Sequence, residues 1–265
     1  MSLSSIPIPG PISTLFTTFP LKTYPSIDIN DTSLENELIT RTYNFQKKIN
    51  DKDSINNYSF TLLIKNKPIN WHQSPIYICI DPIELFIQLS LCYKNNITLP
   101  IKHDNDAAND LNLVDSKMLI VDRPNLPSMI IGNRMIYKKE ILANLKLRFV
   151  GIQLQLANLL DKDLYPLFQG IHTDNVIERA KQTLLQFVKF IESKHNQTHY
   201  NKLQNHDEKE YLNYLDIKLT SYVLTLLKSD KIDSDFKNFI KESCHNVRII
   251  AEVTLKRLNP ELQPY

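Results

Sequence analysis

Glycine is scarce in this chain. Its 265 residues hold four, Gly10, Gly132, Gly151 and Gly170, and no two stand close together. Loops that cradle phosphates need clustered glycines, so dinucleotide-binding and P-loop folds are not expected. Cysteine is rarer still. Cys79, Cys92 and Cys244 lie far apart, odd in number and without C-x-x-C spacing, which argues against a disulfide framework and a zinc site and for reduced thiols facing the cytosol. Cys92 and Cys244 read as small buried hydrophobes inside apolar helices. Cys79 borders a helix start, where a thiol's pKa can fall. An excess of one charge is also missing. Thirty-one Lys and Arg face 29 Asp and Glu, for a net charge of +2, so no nucleic-acid partner is expected. Long apolar runs are missing too. The strongest, 83–93 and 149–160, fall short of the ~18–20 residues of a membrane-spanning helix and carry Glu84 and Gln88, or Gln153, Gln155 and Asn158. No arginine precedes Arg41 and the start is not basic, so neither a secretory signal nor an Arg-rich transit peptide is expected. A role at a membrane then depends on docking to a partner.

What is present divides into three parts. Residues 1–57 read as an N-terminal arm. Prolines extend its IPIPGP opening (6–11), an aromatic stretch follows, a short helix is expected over 34–45, and 47–57 is polar. Residues 58–149 read as a mixed domain. A buried strand at 60–64 is followed by an apolar run of undetermined type at 76–80. Asp81, Pro82 and Glu84 then form a helix start: Asp81 caps, Pro82 fits the first turn, and Glu84 can reach back to the cap residue's amide. That helix is apolar on nearly every side, so two faces should be covered, for example by a sheet and another domain. A strand at 118–121 precedes a hairpin at 128–137, whose Gly132 suits the positive φ of a type II′ turn. A short helix over 138–147 completes the order strand, helix, strand, hairpin, helix. This is the order of a thioredoxin-like domain, and Pro127 stands where that fold places a cis-proline. Residues 150–265 have helical periodicity throughout. There Asn213 and Asp216 form a second helix start, and 194–209 reads as an exposed or disordered loop. The fold class expected is therefore α+β: glutathione-transferase-like, with a thioredoxin-like domain followed by an all-α domain.

Several segments sharpen this. The stretches FTTFPLKTY (16–24), DPIELFIQLSLCYKNNITLP (81–100) and YLDIKLTSYV (214–223), with the helix from Phe236, resemble the metaxin-like, 35-kilodalton subunits of the fungal sorting and assembly machinery, the SAM complex of the mitochondrial outer membrane. The resemblance implies a protein on the cytosolic face of that membrane; without a spanning segment it is expected to be peripheral, and the sparse glycines and lack of a metal constellation lead to the expectation of no enzymatic activity and no cofactor. It also implies three partners: a membrane-embedded β-barrel insertase subunit, a second metaxin-like subunit, and β-barrel precursors whose β-signal is recognised to aid insertion.

The candidate partner-binding residues are Phe16, Phe19, Pro20, Leu21 and Tyr24, an apolar arm able to enter a groove or barrel mouth. Packing against the chain's own helical half is the competing reading. An exposed strand edge could also pair with a β-signal, though the sequence does not say which. Lys138, Lys139, Lys146 and Arg148 could face anionic headgroups, with a solvated helix face as the plainer account. A generic tethering module of the same fold is a further alternative. A glutathione-dependent enzyme would need a hydroxyl or thiol near the first strand to stabilise a thiolate. Only Ser74 or Tyr77 could serve, and lysines stand at 138 and 139 where a tripeptide site would want an acid and a serine. His195 and His199 are four apart with His206 nearby, without a third ligand at a convincing spacing. Asp216, an acid among apolar residues, reads as a helix-start residue whose loss impairs folding rather than chemistry.

Overall fold

The computed structural model describes residues 33–48, 59–71, 75–102, 113–147, 149, 151–202 and 213–260. The chain divides into two compact units, Met1–Leu38 and Ile39–Tyr265. The first is described only where helix α1, Ser33–Arg41, begins, and α1 buries none of its residues. The second unit holds the sheet and all later helices.

Strand β1, Thr42–Lys47, starts directly after α1. Its residues alternate, with Tyr43 and Phe45 fully buried and Thr42, Asn44 and Gln46 half-exposed, which is the period of a strand covered on one face. This corrects two expectations: the helix does not run to 45, and the arm does not run to 57. Strand β2 spans Phe60–Ile64. Ile69–Asn70 (β3) and Tyr77–Ile78 (β4) pair as a two-stranded ribbon, and Ile76 bridges to Ile101. Helix α2, Pro82–Asn95, comes next in the chain. Then come β5 (Ile97–Ile101), β6 (Leu113–Ile120), β7 (Ser128–Ile131) and β8 (Arg134–Tyr137).

The main sheet runs β5-β1-β6-β2-β7-β8. Within it, β2 is parallel to β6 and antiparallel to β7, and β7 and β8 form a hairpin. Gly132 turns that hairpin at φ +56°, a conformation that a side chain would resist. The Leu126–Pro127 bond is cis, immediately before β7. The four strands β6-β2-β7-β8, the helix linking β2 towards β6, and the cis-proline are the thioredoxin-like core expected. Strands β1 and β5 enlarge it on the β6 side, both pairings of β1 being antiparallel.

Helix α2 is buried over most of its length. It packs against β5 on one side and α7 (Tyr214–Lys228) on the other, as its all-round apolar pattern requires. Asn96 ends it in the left-handed region at φ 52°, a conformation asparagine tolerates. Short helix α3, Lys138–Asn144, succeeds the hairpin. The rest is helical: α4 (Ile152–Leu159), a π-turn at Leu160–Leu164, α5 (Tyr165–Phe168), α6 (Asp174–Lys202), α7, α8 (Ser234–Ser243) and α9 (His245–Leu258). The backbone of α6 is helical to Lys202, so the loop expected over 194–209 is overturned for its first nine residues. Helix α7 is the axis of this half, packed on α2 and α9. Its buried Thr220, Ser221 and Thr225 hydroxyls donate to carbonyls three or four residues back, so no polar group on it is orphaned by burial. Among the described residues no helix is long and apolar enough to cross a membrane.

Candidate functional site

A cleft opens where the sheet half meets the helical half. Three features place it. Strand β6 is prolonged by Val121, whose N–H donates to Ile64 O at 2.9 Å, so Lys65 leaves β2 beside the loop that carries Arg123. That loop, through Asn125 at φ 62° and the cis Pro127, forms one wall. The N-terminus of α2 forms the second. From the helical half, α5 contributes Tyr165, and Lys138 closes the rim from the start of α3. The cavity is about 260 Å³.

Asp81 organises the α2 wall. Its Oδ1 accepts from Ile83 N at 2.8 Å and Glu84 N at 3.1 Å, satisfying two amides that a helix start leaves open. Pro82 occupies the first turn and needs no partner. Tyr165 approaches Asp81 Oδ2 at 3.5 Å across the seam.

Glu84 behaves differently from the reciprocal cap expected of it. Its Oε1 accepts from Lys65 N at 2.9 Å, tying α2 to the end of β2 and not to the Asp81 amide. Its Oε2 is buried without a hydrogen-bond partner. Only 3% of the residue is exposed. Burial therefore raises the carboxyl's pKa from 4.5 to about 7, despite the opposing pull of the Lys65 and Asn66 amides.

The cleft is basic at its rim, with Lys65, Arg123 and Lys138, and carries Glu84 and Asp81 inside. It holds no thiol, serine or threonine. Its one hydroxyl, Tyr165, has its pKa raised to about 12 by burial and then by Asp81, so it stays protonated near neutrality. Tyr77, the other hydroxyl considered, packs at a tilt against Tyr43 with centroids 4.8 Å apart and does not line the cleft. Ser74 lies outside the described residues. Cys79 is fully buried and its thiol is pushed well above the ordinary range, by burial first and then by Glu84 and Asp81. The expectation of a lowered pKa there is overturned, because desolvation outweighs the helix start. Cys244 is buried at the break between α8 and α9, not inside a helix.

Of the residues singled out from sequence, Asp81, Glu84 and Pro127 meet at this cleft, with Pro82 beside them. Gly132 turns the neighbouring hairpin. Asn213 and Asp216 lie on the far half, where Asn213 Oδ1 accepts from Asp216 N at 2.9 Å to start α7. The cap is thus Asn213, and Asp216 supplies the amide it receives. Phe16, Phe19, Pro20, Leu21 and Tyr24 lie outside the described residues, as do His206 and Arg148. His195 and His199 fall on the distal part of α6. Among the described residues no group of three or more His, Cys, Asp and Glu is placed to hold a metal ion. Lys65, Arg123 and Tyr165 were not foreseen. Three residues from three elements form no motif, and the one hint was a basic residue within a few positions of Pro127.

The sheet has two edges. On β5, Pro100 has no N–H and Ile101 is already bridged to Ile76. On β8, the two-residue turn pairs Arg134 with Ile131, so Met135 and Tyr137 direct their backbone groups outward. The freer edge is therefore β8, four residues long.

Residues 6–130 match the family described as SAM35, subunit of the SAM complex. A curated relative, the sorting assembly machinery 35 kDa subunit of Saccharomyces cerevisiae (strain ATCC 204508 / S288c), is 27% identical over 146 residues. That alignment covers 53% of this chain and 42% of the relative, so the chain spans less than half the length of the relative it matches. Both the aromatic stretch at 16–24 and the helix start at Asp81 fall inside the matched region, as does most of the cleft. Over residues 6–130, just under half of its length, the chain is similar to the SAM35 family.

Proposed function

We propose that the chain is a non-catalytic docking and recognition subunit of the sorting and assembly machinery, held peripherally on the cytosolic face of the mitochondrial outer membrane. In this reading it sits on a membrane-embedded β-barrel insertase subunit, beside a second metaxin-like subunit. There it helps recognise the β-signal of barrel precursors and aids their insertion. The family match over 6–130 is the observation that carries the reading. The cleft agrees with it. At the place where a thioredoxin-like domain meets its helical partner, the lining holds no serine, threonine or cysteine to activate a thiol. The aromatic arm at 16–24 is the proposed contact with the barrel subunit. The outward edge of β8 is the proposed place for an extended signal to pair, with main-chain bonds giving sequence tolerance.

Affinity purification of the tagged chain from mitochondria, followed by identification of its partners, tests the reading. A barrel protein and a second metaxin-like protein should co-purify, and alkaline carbonate should release part of the chain from the membrane. A β-signal peptide carrying a photocrosslinker should label it. A chain spread through the cytosol without a barrel partner, or retained on glutathione resin with conjugating activity, would overturn it.

A further inference from the structure

The cleft marks one end of the sheet half, where β2 and β6 finish and α2 starts. The opposite end has a different surface. There β1 finishes at Lys47, paired with Ile97 at the start of β5. Helix α2 ends at Asn95 with Lys94 in its last turn, and the Lys94 ammonium donates to Asn144 O at the end of α3. Lys146 follows two residues later. Helix α9 ends there too, since Lys48 Nζ donates to Arg257 O at 3.4 Å, beside Lys256. Lys47, Lys48, Lys94, Lys146, Lys256 and Arg257 therefore lie along one end of the molecule, and all but Lys48 are exposed. None of the five lysines is in a salt bridge among the described residues. Cations near helix C-termini complement the helix dipole, which accounts for Lys94, Lys256 and Arg257 but not for Lys47 and Lys48 at the end of a strand.

We infer that this end is a docking surface for an anionic phospholipid bilayer. Charge decides the occupant. Six cations stand here while the whole chain carries only +2, so the rest of the molecule is net negative. Charge divided in this way turns the basic end towards an anionic plane and the cleft away from it. The aromatic residues beside the cations agree. Tyr93 is exposed next to Lys94 and meets Tyr214 edge-on, with ring centroids 5.6 Å apart, and the Tyr214 hydroxyl donates to Leu145 O at 3.3 Å. Tyrosine, apolar in its body and polar at its tip, suits the headgroup layer of a bilayer. The cations are also spread over several elements and do not converge on one point. A surface of many headgroups is met that way, and a pocket for one anion is not.

The fold divides the basic residues that sequence proximity groups together. Lys138 stands on the cleft rim at the start of α3, whereas Lys146 lies past the end of that helix on the basic side. Lipid contact by the chain alone goes beyond docking to a barrel subunit, and either can fail without the other. Co-purification of a barrel protein requires no lipid contact, and vesicle binding requires no barrel protein.

The test is vesicle flotation of the purified full chain, with vesicles of phosphatidylcholine alone and of phosphatidylcholine with a quarter phosphatidylinositol. The chain should float with the anionic vesicles and bind neutral ones roughly tenfold more weakly, and raising salt from low to physiological strength should weaken the anionic binding severalfold. Lys47→Gln combined with Lys256→Gln should weaken it by roughly tenfold. Lys65→Gln combined with Arg123→Gln removes the same charge from the cleft end and should leave binding unchanged. All four are surface changes, and equal urea midpoints check that both double variants fold. Equal binding to both kinds of vesicle, equal losses in the two double variants, or no loss in the Lys47 and Lys256 pair would each overturn the assignment. So would release from vesicles by inorganic phosphate at constant ionic strength, which marks a discrete anion site, or capture by polyglutamate without vesicle binding, which assigns the surface to an acidic protein.

Discussion

Two buried ionisable clusters flank the seam between the halves, and they are built on opposite rules. On the helical side, Lys218 is almost enclosed, and each of its needs is met. Its Nζ donates to Asp161 Oδ2 at 2.7 Å and to Ala157 O at 2.9 Å, and it lies 5.8 Å from the Phe86 ring centroid. The other oxygen of Asp161 accepts from the buried Tyr222 hydroxyl at 2.7 Å. The π-turn at Leu160–Leu164 makes this possible. It presents Asp161 to α7, while Asp163 accepts from Thr183 of α6 at 2.8 Å. On the sheet side, Glu84 is as deeply buried but has only one oxygen satisfied, and Tyr165 reaches Asp81 only at 3.5 Å. Closed polar networks are explained by the fold they hold together. An open one leaves a desolvated oxygen whose cost the rest of the fold must offset. The helical cluster is accordingly a closed structural network, and the sheet-side cluster is an unfinished one beside the cleft.

That contrast can be broken at several points. The largest effect should come from Asp161→Ala, which leaves the Lys218 ammonium buried without its counter-charge. We expect a loss of about 3 kcal/mol, lessened from the upper range for broken buried pairs because Asp161 itself is half exposed. Its measure is the urea midpoint at constant m-value. Next comes pH. Glu84 has a folded pKa near 7 against 4.5 unfolded, so the folded state holds the extra proton. Its contribution is complete below pH 4.5 and is lost as pH rises to 7, by roughly 2–3 kcal/mol. Other carboxylates titrate in the same range, so the test is the difference between wild type and Glu84→Gln. The variant should gain relative stability from pH 5 to pH 8, and a flat difference would mean that Glu84 is not desolvated. Tyr222→Phe should cost about 1.5 kcal/mol, the lower end for a buried hydrogen bond to a charged group. Tyr165→Phe should cost less than about 0.5 kcal/mol, given its long contact. Equal losses at the two tyrosines would erase the distinction between the clusters.

Local chemistry made much of this molecule readable in advance. The Asp81–Pro82 helix start, the Gly132 hairpin, Pro127 and the Asn213 cap each depend on a few neighbouring residues whose stereochemistry admits few outcomes. Three things escaped, each for its own reason. In β1, Tyr43 and Phe45 have a period of two, but over so few residues the pattern is hidden behind the helix that precedes it. The π-turn has no composition of its own: its five residues, LDKDL, read as ordinary helix, and only the demands of Lys218 and Thr183 reveal it. The cleft's residues are remote in sequence and meet only because β6 runs on to Val121 and α5 brings Tyr165 across the seam.

The placement of β1 also bears on how the chain is made. It leaves the ribosome ahead of all the other described strands, yet it lies between β5 and β6, which are synthesised much later. Neither neighbour can receive it until most of the sheet domain has emerged. During synthesis Tyr43 and Phe45 are therefore an apolar strand without a home, and such non-local pairings form slowly. Until they do, β6 offers an open slot one strand wide, and a chaperone that shields the nascent N-terminal segment would protect the step on which closure of the sheet depends.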